Sequence, residues 1–420
     1  MLSNLSKKRT FSYTWVIILL CFLTTFTTLG FCSSNKSLYL VAITDALHIP
    51  RSLFSLSDSL RFITTAVVNL FFSRLAAKFG FKKLLCFGFL SLIASVLINA
   101  VSSSVYLFYL GGIFLGLGFC FTGTTIIGSI VHRWCAQNKG TIMGFVLAAN
   151  GLGGAVAAQI VSPIIYEEGN PFGYRNAYFL VAGILVAVMI LIIIFFREKP
   201  KNMGEETTEA PKKHPPKDAE GTLLFEKVWK TPFFFAILAC IFFTGFVLTG
   251  VNGIAAGYLK DLNLDSSYIA TVLSVHSVTL ALFKFLTGFI YDKFGLRVTM
   301  TICSIAAVLS MLSLVFITNS PSGYVLAMFW GVVSSLSLPL ETIMLPLYAG
   351  GLFKATSFNK ALSLFVSVNT AGYALGSPLT NIFYDLTGSY VPAFCGNTVI
   401  MFIVFVVMSF LLKKVKTIQA

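Results

Sequence analysis

The segment KFGFK at residues 78–82 returns as KFGLR at 293–297, 215 residues further along the chain, inside the longer stretches RLAAKFGFKK (74–83) and GFIYDKFGLR (288–297). Each copy lies between two long apolar runs. Further echoes accompany the pair: NKG at 138–140 returns as NKA at 359–361, and Gly151 as Gly372, both at an offset of 221 residues. Glycine with Lys or Arg between apolar helices indicates a tight turn anchored at a water interface, which accounts for the residue types. It does not account for their recurrence at a nearly fixed offset. The chain therefore reads as two related halves.

Composition defines the medium in which those halves fold. Of 420 residues, 56% are hydrophobic and 11% charged, and the mean hydropathy is +0.86, which excludes an ordinary soluble enzyme. A helix needs roughly 20 apolar residues to cross a bilayer. Twelve such runs occur, near 14–43, 53–76, 84–103, 105–130, 141–166, 177–196, 233–258, 267–290, 298–318, 322–349, 361–384 and 393–412. The first follows Lys7, Lys8 and Arg9, as a signal peptide would. It is longer than an ordinary apolar signal region and lacks a small-residue cleavage site, so it is read as the first span. Between the sixth and seventh runs, REKPKNMGEETTEAPKKHPPKDAEG interrupts the apolar rhythm with Pro, Glu, Lys and Thr and cannot bury a core. The expected organisation is an N-terminal six-helix bundle over 1–197, a linker over 198–231 and a C-terminal six-helix bundle over 232–420.

The net charge of +14 has a topological explanation. With both ends on one side, 24 of the 30 Lys and Arg residues fall in segments of that side, against Arg51, Arg175 and Lys260 on the other. Such asymmetry marks a cytoplasmic face, so both termini are expected in the cytoplasm of a protein that spans the cell membrane many times. Basicity of this origin does not imply a nucleic-acid partner. The eight Cys residues are scattered with no CxxC pair, and His48, His132, His214 and His276 are unclustered, so the pattern contains neither a disulfide framework nor a metal site. No Gly-x-x-x-x-Gly-Lys-Ser/Thr loop is present, which leaves ATP-driven pumping without a basis. No cofactor is implied, and no nucleophile–base set implies catalysis.

Apart from Arg74, at the end of the second run and counted with the cytoplasmic segment, five charged residues remain inside the apolar runs: Lys36, Asp58, Arg61, Lys284 and Glu341. A charge in hydrocarbon costs about 2.5 kcal/mol or more on insertion scales, so such residues face a watery cavity, a partner or a substrate path. Three cations against two anions favour an anionic cargo.

The two loop stretches resemble the paired loop signature of the major facilitator superfamily, and span count, linker position and repeat extend the resemblance over the whole chain. The second copy keeps the signature Gly and Asp as Gly288 and Asp292, whereas the first has Ser73 and Ala77. The resemblance implies that Lys78, Gly80, Gly288, Asp292, Gly295 and Arg297 form cytoplasmic gate loops, with the N-terminal copy of the Asp lock missing. It also implies twelve helices in two pseudo-symmetric bundles, with spans three, six, nine and twelve outside. Those four runs contain no charged residue, and all five intramembrane charges fall in spans one, two, eight and ten, which the fold places around the cavity. Within the superfamily, GFCSSNKS at 30–37 is similar to the first-span segment of monocarboxylate transporters, with Lys36 matching their substrate-sensing Lys at a spacing that differs by one. Lys284, four residues before Gly288, takes the place where that branch and the oxalate/formate antiporters have a substrate-binding Arg. A point charge there replaces a bidentate fork. Leu280 stands where monocarboxylate transporters carry an Asp, and span eleven has no Lys like that of the antiporters.

The expected protein is thus an all-α membrane transporter, working as a monomer, that moves a small monocarboxylate or dicarboxylate by alternating access, coupled to protons or by exchange. Lys36, Arg61 and Lys284 are its candidate anion ligands, with Asn150, Asn252 and Asn369 as further binding residues. Asp58, Glu341 and His276 are its proton-coupling or charge-balancing candidates. Each has a plainer reading. Asp58 and Arg61, three apart, share a helix face and can neutralise each other; Lys284 can snorkel to the interface; His276 can be a packed, hydrogen-bonded core residue. Glu341 lies on a polar stripe with Ser334 and Ser337 between Pro339 and Pro346. Gly250, Gly253 and Gly257 are expected to let span seven bend or unwind beside Asn252. Competing readings are an exporter of amphipathic compounds, favoured if many of the 42 Phe residues line the cavity, a non-transporting receptor, and a channel.

Overall fold

The computed structural model describes residues 13–34, 36–49, 51–135, 137–167, 170–198 and 223–419. The side chain of Lys36 lies outside the described set, as does most of the expected linker. Among the described residues, nine continuous helical stretches are long and apolar enough to cross a membrane. Two of them, within Arg51–Val101 and Ser266–Val315, are each broken at one residue: Gly80 at φ 78° and ψ 167°, and Gly295 at φ 82° and ψ 176°. That backbone region is open essentially to glycine alone. The repeated KFG is thus a corner at which one apolar run leaves the membrane and the next re-enters it. Counting each broken helix as two, with Ala355–Thr387 as span eleven, yields twelve spans.

The remaining spans match the apolar runs to within a few residues. Span one comprises Tyr13–Thr25, a π-helical turn at Phe26–Phe31 and the helix Lys36–Leu47. Spans two and three run either side of Gly80. Span four is Val105–Thr122 continued by Thr124–Trp134, span five Lys139–Ile165, span six Gly173–Phe195 and span seven Pro232–Asp261. Spans eight and nine run either side of Gly295. Span ten is split into Pro321–Ser337, Pro339–Thr342 and Met344–Leu352, and span twelve is Val391–Gln419.

The expectation that span seven unwinds beside Asn252 is not met: Pro232–Asp261 is one helix. Small residues in it serve packing instead. Gly245 meets the Asn369 carbonyl, Gly372 meets the Phe242 carbonyl and Gly376 abuts Gly250, so spans seven and eleven approach at backbone distance. Spans one and five do the same, with Gly30 against Gly153 and Gly154. The irregular helices are span one, at its π turn, span four, where Gly123 is extended, and span ten, where Pro339 removes a backbone donor.

The face bearing the two KFG corners also holds Arg133, Lys139, Arg197, Lys354 and Lys360 and is termed the basic face. The two bundles meet there through spans five and eight and, related to them by the repeat, eleven and two. A Cβ on Gly140 would lie 2.6 Å from the Gly288 carbonyl, and one on Gly144 2.6 Å from the Lys284 carbonyl. Spans four, ten and eleven complete the seal: the His132 ring stacks on Phe358 with centroids 4.0 Å apart, and Gly128 faces Pro346. The structure is therefore closed at its basic face.

Candidate functional site

Asp292 is the central polar tie of that closure. Its carboxylate accepts the backbone N–H of Gly140 at 3.0 Å and of Thr141 at 2.6 Å, at the N-terminus of span five in the opposite bundle. Unpaired N–H groups and the helix dipole both favour an anion there. Ala77, the counterpart in the first repeat, has no carboxylate, and Lys354 at the start of span eleven makes no side-chain cap. An unexpected acid serves the N-terminal corner instead. Glu198, just past span six, accepts from Phe81 N–H at 2.6 Å and Lys82 N–H at 3.1 Å, with Arg133 3.9 Å away. It caps span three inside its own bundle, so of these two carboxylates only Asp292 reaches across to the other half. Gly80, Gly288 and Gly295 supply corners and close approach. Lys78 and Arg297 lie beside the corners, with the Lys78 ammonium 5.3 Å from the Phe79 ring centroid.

Deeper in the protein, the intramembrane charges separate into two sets. Arg61 on span two is 8% exposed. Its Nε lies 3.2 Å from an Asp58 oxygen, Nη1 donates to Ser33 Oγ at 3.1 Å, and the guanidinium rests 4.3 Å over Phe62 and 5.5 Å from Phe119. Ser33 is accessible to it because span one is interrupted there. Arg61 is thus held by a carboxylate, a hydroxyl and two aromatic faces.

The second set belongs to the C-terminal bundle. Glu341 sits in the short Pro339–Thr342 helix of span ten and is 5% exposed. Its Oε1 accepts Thr249 N–H at 3.1 Å and its Oε2 accepts the Thr249 hydroxyl at 2.8 Å. Lys284 on span eight is also 5% exposed. Among the described residues its ammonium makes no hydrogen bond and no ion pair within 4.0 Å, although it interacts electrostatically with Glu341. Tyr373 on span eleven lies near Glu341, and its ring meets Phe62 edge-on with centroids 5.8 Å apart. Ser367 on the same span donates to the Ala66 carbonyl on span two. Aromatic contact and hydrogen bonding thereby join the Arg61 region of one bundle to the Glu341 region of the other.

Other sequence candidates have local partners. Asn252 donates to its own helix at the Leu248 carbonyl, 2.7 Å away. Asn369, fully buried, donates to the Ile241 carbonyl at 3.0 Å and ties span eleven to span seven. Asn150 accepts from Ser34 at 2.9 Å, linking spans five and one. His276 Nδ1 lies 2.9 Å from the Gly331 carbonyl and 3.0 Å from Ser334 Oγ, and its ring is parallel to Trp330. This is the packed, hydrogen-bonded arrangement. Thr249, Tyr373, Ser33 and Glu198 were not among the sequence candidates. Only Ser33 had a signal, its place in the polar run before Lys36. Two internal voids lie within single bundles, away from Lys284: one of about 40 Å³ beside Cys32, Tyr39, Ser57 and Asn99, and one of about 10 Å³ beside Cys240 and Tyr348. Neither coincides with the charges.

Two six-helix bundles that close on one face, with charged side chains buried where they meet, define a membrane transporter. The Major Facilitator Superfamily model matches residues 19–253 and 237–419, and the chain belongs to that family. It is 24% identical over 383 residues to the MFS-type transporter YcxA of Bacillus subtilis, covering 90% of each chain. It is also 24% identical to monocarboxylate transporter 13 of Bos taurus, over 77% of this chain and 71% of that one. Relatives at comparable identity carry the names of sialic acid, sugar and multidrug transporters. Its fold matches the crystal structure of the MFS transporter FucP in the outward conformation with a TM-score of 0.71, at 13% identity, covering 95% of this chain and 99% of that one.

Proposed function

We propose that this transporter carries a small organic anion, a monocarboxylate or dicarboxylate, across the cell membrane by alternating access, with its basic face in the cytoplasm. The observation that carries the reading is Lys284, a buried ammonium with no hydrogen-bond or ion-pair partner among the described residues. A cation taken out of water is costly unless compensated, and a substrate carboxylate supplies the missing compensation. Arg61, already engaged by Asp58 and Ser33, is a secondary ligand and the orienting group of the opposite bundle. Lys36 completes the cationic set, with Asn150, Asn252 and Asn369 as further polar candidates. Asp58, Glu341 and His276 are the groups through which the cargo is balanced or coupled to protons. The positive-inside distribution supports the orientation, and the name of monocarboxylate transporter 13 supports the substrate class.

The test is uptake into proteoliposomes from a panel of radiolabelled acetate, pyruvate, lactate, oxalate and succinate, with and without a pH gradient or unlabelled anion on the far side. Lys284→Ala is expected to abolish uptake while the purified protein remains monodisperse. Undiminished uptake by that variant rules out an anion site at Lys284. Movement of lipophilic cationic dyes in place of carboxylates would favour the exporter of amphipathic compounds.

A further inference from the structure

The seal at the basic face includes a titratable ring. His132, in the last turn of span four, lies flat on Phe358 of span eleven in the opposite bundle, with centroids 4.0 Å apart and planes 19° apart. Its Cδ2–Nε2 edge abuts the end of span ten: a Cβ on Gly350 would lie 3.4 Å from Cδ2 and 3.6 Å from Nε2. One turn earlier on the same helix, Gly128 meets Pro346 and Leu362, so the ring belongs to the contact between the bundles and not to its rim. Among the described residues neither ring nitrogen makes a hydrogen bond and no acid pairs with it. Phe358 and Gly350 both belong to the C-terminal bundle. When the bundles part, the ring is left facing water.

The charges around the ring disfavour a proton on it. Lys139 of span five acts on it directly. Arg133 beside it rests over Phe81, spans two and three bring Arg74, Lys78, Lys82 and Lys83 to the same end, and span eleven brings Lys354 and Lys360. The acids at this face are engaged elsewhere: Asp292 accepts from Gly140 and Thr141, Glu198 accepts from Phe81 and Lys82 with Arg133 3.9 Å away, and Glu226 accepts from Lys360. The phenols and thiols on the packed elements, Tyr13, Cys21, Cys135, Tyr291 and Tyr348, are uncharged below pH 7. An imidazolium in the seal would gain some attraction from the Phe358 face. It would also surrender its water with no acceptor to replace it, and for a buried cation that loss is the larger.

We infer that His132 is a pH sensor built into the seal: the basic face closes on the neutral imidazole, and protonation of His132 in the parted state holds that face open. The inference is independent of the cargo, and it rests on the proposed orientation only in placing the sensed pH in the cytoplasm. A histidine in water titrates near pH 6.5, roughly. Above that value closure meets no proton to remove. Below it, closure has to expel one proton, and the closed-to-open ratio falls by up to about tenfold per pH unit. Acid at the basic face therefore arrests the carrier open to that side and slows its cycle.

The test uses the full chain in lipid nanodiscs, where both faces share one pH, with spin labels at exposed Phe79 and Phe294 on the two KFG corners and the eight Cys residues replaced. Pulsed electron-spin distance measurement reads the open-to-closed ratio at the basic face without any substrate. Between pH 7.5 and pH 5 the ratio is expected to rise by about tenfold or more with His132 present. In His132→Phe, which keeps a ring against Phe358 and binds no proton, it should change by less than about twofold. If His132→Phe does not accumulate, His132→Gln serves instead. Its open fraction can differ at every pH because the stacking is lost, but its profile should be equally flat. A flat profile with His132 present, or a rise that survives in the variant, overturns the inference. In the second case the proton belongs to another group, such as His276 or Asp292.

Discussion

Replacing Asp292 by Ala should bias the protein away from the state closed at the basic face. The carboxylate satisfies two N–H groups at the start of span five, at 3.0 and 2.6 Å, from the opposite bundle. Loss of a helix cap costs about 1 kcal/mol, and an anion at a helix N-terminus adds roughly 0.3–1 kcal/mol. A second N–H left to water-mediated bonding brings the total to about 2 kcal/mol. Because Asp292 joins separate bundles, this stabilisation belongs to the closed basic face and disappears when the bundles part. At 1.4 kcal/mol per factor of ten, the ratio of the two states should move by roughly 30-fold. Spin labels at exposed Phe79 and Phe294, on the two corners, in a background with the eight Cys residues replaced, report the separation by pulsed electron-spin distance measurement. The ratio of long-distance to short-distance populations should rise by about that factor in Asp292→Ala, with about half the free-energy effect in Asp292→Asn, which keeps one acceptor oxygen. A distance distribution unchanged in both variants refutes the latch.

Gly144→Ala should act in the same direction, because the new Cβ would meet the Lys284 carbonyl and the Phe285 backbone, neither of which can swing aside; a penalty of about 1–3 kcal/mol should appear as opening in the same distance measurement and as slowed transport. Asp58→Asn should lower thermal stability in detergent by about 1–2 kcal/mol, less than for a fully buried pair because the Asp58 side chain is 31% exposed, and adding Arg61→Met should restore part of the loss; strictly additive losses would show that the pair is not coupled. Lys360, donating to Glu226, holds that exposed carboxyl below its ordinary range. A carboxyl depressed in the folded state stabilises it above the unfolded pKa and ceases to do so as pH falls through the folded one. The small thermal-stability gap between wild type and Glu226→Gln should therefore be present near neutrality, vanish on acidification below the carboxylate range, and shrink with added salt; a gap that widens in acid contradicts the assignment.

Much of the architecture was legible because a bilayer imposes simple rules. Apolar length reported the spans, and the recurring KFG reported corners that demand glycine, seen as positive φ at Gly80 and Gly295. The three-residue spacing of Asp58 and Arg61 anticipated their contact, since a helix carries such residues on one face. Asp292 could be picked out by resemblance, and its partners then proved to be the main chain of span five. Helix irregularity was not legible in the same way. Gly250, Gly253 and Gly257 were expected to let span seven bend or unwind, yet Gly376 of span eleven packs on Gly250 and Pro232–Asp261 stays one continuous helix. Span four breaks at Gly123, and the interruptions in spans one and ten lie where Ser33 and Glu341 meet their partners.

The sequence alone determined that this chain crosses the membrane repeatedly, that its two halves are related, and that it holds charges no lipid-facing helix would carry; each follows from the energy of placing a residue type in hydrocarbon, which needs no knowledge of neighbours. Which charges are compensated by a different helix could come only from the tertiary structure. Thr249 is 92 residues from Glu341, and no periodicity connects them. That remote contact leaves Lys284 as the buried cation without a partner among the described residues, because pairing in a low-dielectric interior depends on where helices meet and not on what each helix contains.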